Sequence, residues 1–257
     1  MATVEIAERA DLSPKSPIWG EHRSRYHFAA NFVSGKTVLD IACGTGFGEK
    51  ILVDAGAVRI FATDFSLEAL NTTKELRTPQ TYIFRSDGLK LPFADNTIEV
   101  ITSFETVEHI ADYRGFVEEL RRVLRNDGIM IMSTPNAFYT KPVDGKPINP
   151  FHVYEFTPVE FKGLLEPHFS NIELLGQRVR SERRLCPFWE LPEMLPNDGR
   201  SKILIALWKI QARLPFNLKE TVSFFFTGEG FYPGEDDFIF SPSELETGYT
   251  QVAVCRP

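Results

Sequence analysis

The chain has 257 residues, of which 43% are hydrophobic and 25% charged, the balance of a folded globular protein. Its formal net charge of −7 argues against a nucleic-acid partner, whose phosphates demand a basic surface. Cys43, Cys186 and Cys255 are too few and too scattered for a disulfide framework or a C-x-x-C metal site, and no apolar run has the length of a membrane span. A cytoplasmic protein with no membrane partner, monomeric or homodimeric, is the expectation.

Residues 1–20, with Pro14 and Pro17, read as a mobile polar segment, and a helix is expected over 21–33. Apolar strands then alternate with helical patterns. Strands are predicted at 37–41, 59–63, 81–85, 98–104 and 129–134, and helices at 47–55, 67–77 and 113–125. In the last of these helices Phe116, Leu120, Val123 and Leu124 share a face, and Asn126-Asp127-Gly128 reads as its stop. A helix over 158–165 leads to strands at 171–177 and 249–255. This alternation implies an α/β fold, a doubly wound, Rossmann-like sheet of seven strands. Residues 178–246 form an insertion before the final strand, with an apolar helix at 202–214 and the aromatic cluster Phe224, Phe225, Phe226, Phe231 and Tyr232. The cluster is expected to build a small satellite core, and the insertion to act as a cap over an acceptor pocket. The remaining 21–177 and 247–257 make up the main domain.

The densest chemical signal is Val38-Leu39-Asp40-Ile41-Ala42-Cys43-Gly44-Thr45-Gly46-Phe47-Gly48. A strand breaking into a glycine loop that opens a helix is how α/β folds hold nucleotide-like cofactors. The dinucleotide fingerprint is G-x-G-x-x-G, and here the third glycine falls one residue early. Asp40 ahead of the loop is foreign to that fingerprint too. Asp64 ends the next strand, where a carboxylate can accept from both hydroxyls of a ribose, and Asp87 follows the third, within reach of an adenine amine.

This run resembles the class I S-adenosylmethionine-dependent methyltransferases. The resemblance implies S-adenosylmethionine as cofactor, an antiparallel final strand, and a cofactor site drawn from Tyr26, Asp40, Gly44, Gly46, Asp64, Phe65, Asp87, Gly88 and Phe104. Strand four then runs into Glu105-Thr106-Val107-Glu108-His109, and a helix starting there would put Glu105, Glu108 and His109 on one face. With His152 after strand five, this set resembles the Glu-x-x-Glu-His pattern of ubiquinone-biosynthesis O-methyltransferases and small-RNA 2′-O-methyltransferases. That resemblance makes Glu105, Glu108, His109 and His152 candidate ligands of a divalent cation (Mg, Mn, Fe or Zn), while His152 or His109 is the candidate general base if no metal binds.

The small-RNA group carries basic surface that this chain lacks; the run Arg178, Arg180, Arg183 and Arg184 reads as a solvated face. Residues 21–29 and 151–161 instead resemble methyltransferases of sugar and natural-product pathways. The expected acceptor is a hydroxyl of a small molecule, a sugar or vicinal diol. An amine or amino-sugar acceptor, and a non-catalytic cofactor-binding accessory protein, stay open as alternatives.

Overall fold

The computed structural model describes residue 16 and residues 18–75, 77–180 and 199–257. Most of the predicted N-terminal segment, together with Arg183, Arg184 and Cys186, lies outside the described residues. Two compact units are present, one made of 1–24 with 179–239, the other of 25–178 with 240–257.

The larger unit carries the sheet. In chain order its elements are α1 (Trp19–Ala30, which starts in the smaller unit), β1 (Thr37–Ile41), α2 (Glu49–Asp54), β2 (Arg59–Asp64), α3 (Leu67–Glu75), β3 (Thr81–Arg85), β4 (Ile98–Phe104), α4 (Tyr113–Val123) and β5 (Leu124–Pro135). There follow the short α5 (Ala137–Thr140), α6 (Pro158–Leu165) and β6 (Asn171–Val179), and the chain ends in β8 (Thr250–Arg256). The smaller unit contributes α7 (Gly199–Ala212), α8 (Phe216–Thr227) and the first half of β7 (Phe238–Ser241).

The sheet has eight strands in the order β3-β2-β1-β4-β5-β8-β6-β7. This corrects the expected seven: the stretch read as pure insertion supplies β7. Pairings from β3 through β5 are parallel, whereas β8 runs antiparallel to both β5 and β6. The antiparallel last strand thus sits inside the sheet, not at its margin.

Alternation along the strands builds two cores. Leu39, Ile41 and Ile101 face one side with Phe116, Leu120 and Val123 of α4 and Phe161 and Leu165 of α6. Val38 and Val100, one residue out of phase, face the other with Ala29 of α1, Leu52 of α2 and Leu70 of α3. Helices on both faces of a largely parallel sheet are what the βα alternation demanded. The largest boundary difference is at the junction of α4 and β5. α4 ends at Val123, and the Asn126-Asp127-Gly128 stretch lies within β5, where the register against β4 shifts between Ile98 and Val100. Gly128 is tight there, since a Cβ would meet Leu124 Cδ1 at 2.7 Å and the Glu99 carbonyl at 2.9 Å.

In the smaller unit the aromatic cluster divides. Phe231 is buried, and Tyr232 packs edge-on against it, centroids 5.0 Å apart, with Lys219 Nζ donating to the Tyr232 hydroxyl at 2.9 Å. Phe224, Phe225 and Phe226 face solvent instead. Only part of the expected satellite core exists, because one face of a helix cannot bury three consecutive side chains.

Candidate active site

The glycine loop takes an alternating backbone path. Ala42, Gly44 and Gly46 all have left-handed φ, at 58°, 59° and 78°. A Cβ on Gly46 would approach Thr73 Cγ2 of α3 at 2.4 Å, so only glycine fits. The Thr73 hydroxyl donates to the Gly44 carbonyl at 2.9 Å, and the Gly44 amide donates to Asp64 Oδ2 at 3.0 Å. Asp64 Oδ1 also accepts from the Ser66 amide, so this carboxylate ties the end of β2 to the loop after β1.

Asp40 is buried on β1 beside its cross-strand partner Thr102 of β4. Thr102 Oγ1 donates to its Oδ1 at 2.6 Å and the Tyr26 hydroxyl to its Oδ2 at 2.9 Å. Tyr26 stands edge-on to Phe47 and Phe104, and a Cβ on Gly48 would fall inside its ring. Burial pushes the Asp40 carboxyl up to about 7, against the Thr102 and Tyr26 hydrogen bonds, which lower it. Glu49, which opens α2, is buried as well. Neither of its oxygens makes a hydrogen bond of good geometry with the described residues, and burial with the neighbouring Asp40 charge lifts it to about 8. Phe65, Asp87 and Gly88 lie at the ends of β2 and β3. Phe65 is exposed under the Arg85 guanidinium, Asp87 Oδ1 accepts from the Leu89 amide at 2.9 Å, and Gly88 abuts the Phe116 ring. All lie at the carboxyl edge of the parallel strands, where such folds bind ligands.

The second constellation lies at the same edge, beyond β4. Glu105 has a left-handed φ of 49°, and a single 3-10 turn, Val107–His109, follows in place of the expected helix. Glu105 therefore does not share a face with Glu108 and His109. Its Oε1 accepts from Ser133 Oγ at 2.7 Å and lies 3.9 Å from the fully buried Arg25, whose Nη1 donates to Gln177 Oε1 at 2.8 Å. Glu108, His109 and His152 do come together, with one ligand-type atom from each within 4.8 Å of the others. Glu108 is buried. Its Oε2 accepts from Thr134 Oγ1 at 2.9 Å, its Oε1 accepts no hydrogen bond from the described residues, and burial with the Glu105 charge raises its pKa well above its ordinary value.

The Glu108 carbonyl accepts from the amides of Val153 and Tyr154, which locks the His152 loop to the end of β4. His109 Nδ1 lies 3.1 Å from the Phe151 carbonyl, an arrangement that makes Nδ1 the donor and leaves the lone pair on Nε2. His152 Nδ1 lies 2.6 Å from Glu155 Oε1, and its Nε2 lies 2.9 Å from Asn149 Nδ2. Burial works to raise the Glu155 pKa, yet hydrogen bonds from His152 and Thr140 outweigh it and hold the group below its usual value. Glu155, Asn149 and Thr102 escaped the sequence reading. The His152-x-x-Glu155 spacing is the one local signal that could have pointed to any of them.

An orphaned carboxylate oxygen beside two imidazoles is a donor set that suits a divalent cation of intermediate hardness. Glu105 is outside that set, and His152 joins it only if Asn149 releases Nε2.

Comparison with known proteins bears on the fold and the class of domain. Residues 39–132 match the family model described as a methyltransferase domain. A protein of Mycolicibacterium smegmatis named as a probable S-adenosylmethionine-dependent methyltransferase is 34% identical over 59% of this chain and 58% of its own. A Mycobacterium tuberculosis protein of the same description is 30% identical over 65% of this chain and 60% of its own. A demethylmenaquinone methyltransferase of Corynebacterium urealyticum is 35% identical over 44% and 49%. The chain thus spans about three-fifths of the length of the first two relatives. Among solved structures, a Haloferax volcanii methyltransferase in complex with the Trm112 activator has a TM-score of 0.57 at 16% identity, covering 94% of both chains. The [4+2]-cyclase SpnF has 0.57 at 14%, covering 93% of this chain and 81% of its own. At such identities these structures show the fold alone.

The fold and the loop define a Rossmann-like α/β methyltransferase fold. More particularly, residues 39–132 are similar to a methyltransferase domain, the relatives they resemble are described as S-adenosylmethionine-dependent methyltransferases, and the cofactor of such enzymes is S-adenosylmethionine.

Proposed function

We propose that the protein transfers the methyl group of S-adenosylmethionine to a hydroxyl of a small molecule, a sugar or vicinal diol, held beside Glu108, His109 and His152. The observation that supports this reading is the convergence of those three side chains at the same sheet edge as the glycine loop. The acceptor oxygen attacks the methyl carbon in line, the carbon–sulfur bond breaks, and S-adenosylhomocysteine leaves. Alignment of such a pair supplies roughly 7–11 kcal/mol of the barrier reduction. The hydroxyl proton goes to His109 Nε2, the lone-pair nitrogen left by Nδ1 donation to the Phe151 carbonyl. Glu108 Oε1 lies 4.0 Å from that nitrogen, and a positive imidazolium there would favour its ionised form. A divalent cation held by Glu108, His109 and His152 would lower the acceptor's pKa and grip its oxygen.

Asp64 would take the ribose hydroxyls, Asp87 the adenine amine, and the Asp40–Tyr26 pair the methionine end. An amine acceptor needs no base, only its neutral form, so it predicts activity indifferent to these residues. The demethylmenaquinone methyltransferase relatives add an aromatic quinol to the acceptors worth assaying.

The test measures methyl transfer to a polyol, amine and quinol panel with and without chelator, alongside calorimetric binding of S-adenosylhomocysteine. His109→Ala and Glu108→Gln are expected to lower turnover at least about a hundredfold, the usual contribution of a general base, while cofactor affinity stays within about threefold. Full turnover of hydroxyl acceptors in both variants overturns the assignment of base and site. Turnover of amines alone favours the amine reading.

A further inference from the structure

Outside the candidate site, the strongest unexplained feature is the outer surface of α7 and α8 in the smaller unit. On α7, Ile203, Leu207 and Ile210 stand at i, i+4 and i+7 and so share one face, and all three are exposed, by 62%, 57% and 61%. Lys202 and Lys209, spaced by seven, lie on an adjoining face, and exposed Arg213 follows just past the helix end. On α8, Lys219 and Ser223 point inward, while Phe224, Phe225 and Phe226 are 67%, 82% and 74% exposed. From Gly199 to Lys219 there is no acidic residue, in a chain whose net charge is −7.

Isolated exposed apolar residues are ordinary; seven large ones among the described side chains of two helices, Leu218 of α8 included, are not. We propose that this face of α7 and α8 docks onto an anionic lipid surface. Two observations select that occupant. Consecutive helical residues are about 100° apart, so Phe224, Phe225 and Phe226 fan around the helix outside its buried stripe. No single rigid groove can take all three, whereas the fluid boundary of a bilayer can. The charges bordering the apolar face of α7 are all basic, which complements anionic headgroups and opposes a second copy, where a two-fold contact would set like charges together. No described helix is long and apolar enough to cross a membrane, so the contact is superficial. This inference does not depend on which acceptor is methylated.

The experiment is flotation of the full chain with vesicles of pure phosphatidylcholine and with vesicles of equal parts phosphatidylcholine and phosphatidylglycerol, plus sedimentation velocity without lipid. Expected are flotation with the anionic vesicles, weak flotation with the neutral ones, and weakening by salt. Removing two lysines in Lys202→Ala/Lys209→Ala is expected to weaken anionic binding about twenty-five-fold, each basic side chain near such a leaflet contributing about fivefold. Phe224→Ser/Phe225→Ser/Phe226→Ser is expected to abolish flotation on both, with S-adenosylhomocysteine binding retained as the check that the protein is folded. The wild type failing to float with anionic vesicles overturns the proposal. So does a wild-type dimer that the phenylalanine variant dissociates, which would make the face a self-interface.

Discussion

Two buried carboxylates, Asp40 and Glu49, stand beside the glycine loop, lifted to about 7 and about 8 from ordinary values of 3.8 and 4.5. The folded chain therefore keeps these groups protonated up to near neutrality, whereas the unfolded chain releases those protons from about pH 4. Across that interval the unfolded state binds fewer protons, so stability of the cofactor-free protein falls as pH rises. The melting temperature is expected to drop between about pH 5 and about pH 8, with Glu49→Gln flattening the slope. A melting temperature constant over that range would mean the pair is solvated or already ionised. A ligand bearing positive charge reverses the preference, so S-adenosylmethionine affinity should rise through the same interval. At this scale Asp40 was legible from its place before the loop. Glu49 was not, since an acid in the first turn of a helix usually faces solvent, and only packing shows that this one does not.

The loop between β1 and α2 separates two kinds of glycine. Gly44 has a left-handed φ of 59°, and a Cβ there would meet nothing within 4 Å, so Gly44→Ala incurs backbone strain alone, about 1 kcal/mol. Gly46→Ala adds a clash with Thr73, whose hydroxyl holds the Gly44 carbonyl, and must move the loop against α3. S-adenosylhomocysteine affinity is expected to fall at least about tenfold, or ~1.4 kcal/mol, in Gly46→Ala by calorimetry. Denaturant titration should show the larger stability loss there too. Equal affinities for Gly46→Ala and the wild type would show that the loop is not a fixed platform. The glycine spacing advertised the loop, but not which glycine is irreplaceable, because Thr73 lies on another element. The end of β4 makes the converse point: a helical Glu-x-x-Glu-His face was expected, and the left-handed Glu105 turns its carboxylate to Ser133 and Arg25 instead.

Over the whole molecule, five parallel strands, an antiparallel β8 set between β5 and β6, and the outermost β7 make one sheet. A ligand at its carboxyl edge that binds only the folded form adds RT ln(1 + [L]/Kd) to stability. S-adenosylhomocysteine at about a hundred times its Kd is thus expected to stabilise the protein by about 2.7 kcal/mol, read as a rise in melting temperature. NAD at the same concentration should leave it unmoved. A shift with NAD and none with S-adenosylhomocysteine would return the loop to dinucleotide binding.

The amino-acid sequence alone determined the βα alternation, the class of cofactor loop and the three acids at successive strand ends. Each is local, set by hydrophobic period, glycine stereochemistry and spacing along a single strand and turn. Tertiary structure decided the eighth strand, the burial of Asp40, Glu49 and Glu108, and the pairing of His152 with Glu155 and Asn149. It also selected Glu108, His109 and His152, without Glu105, as the cluster. Those depend on contacts between residues far apart in the chain or on a backbone turn at one position, and no periodicity encodes either.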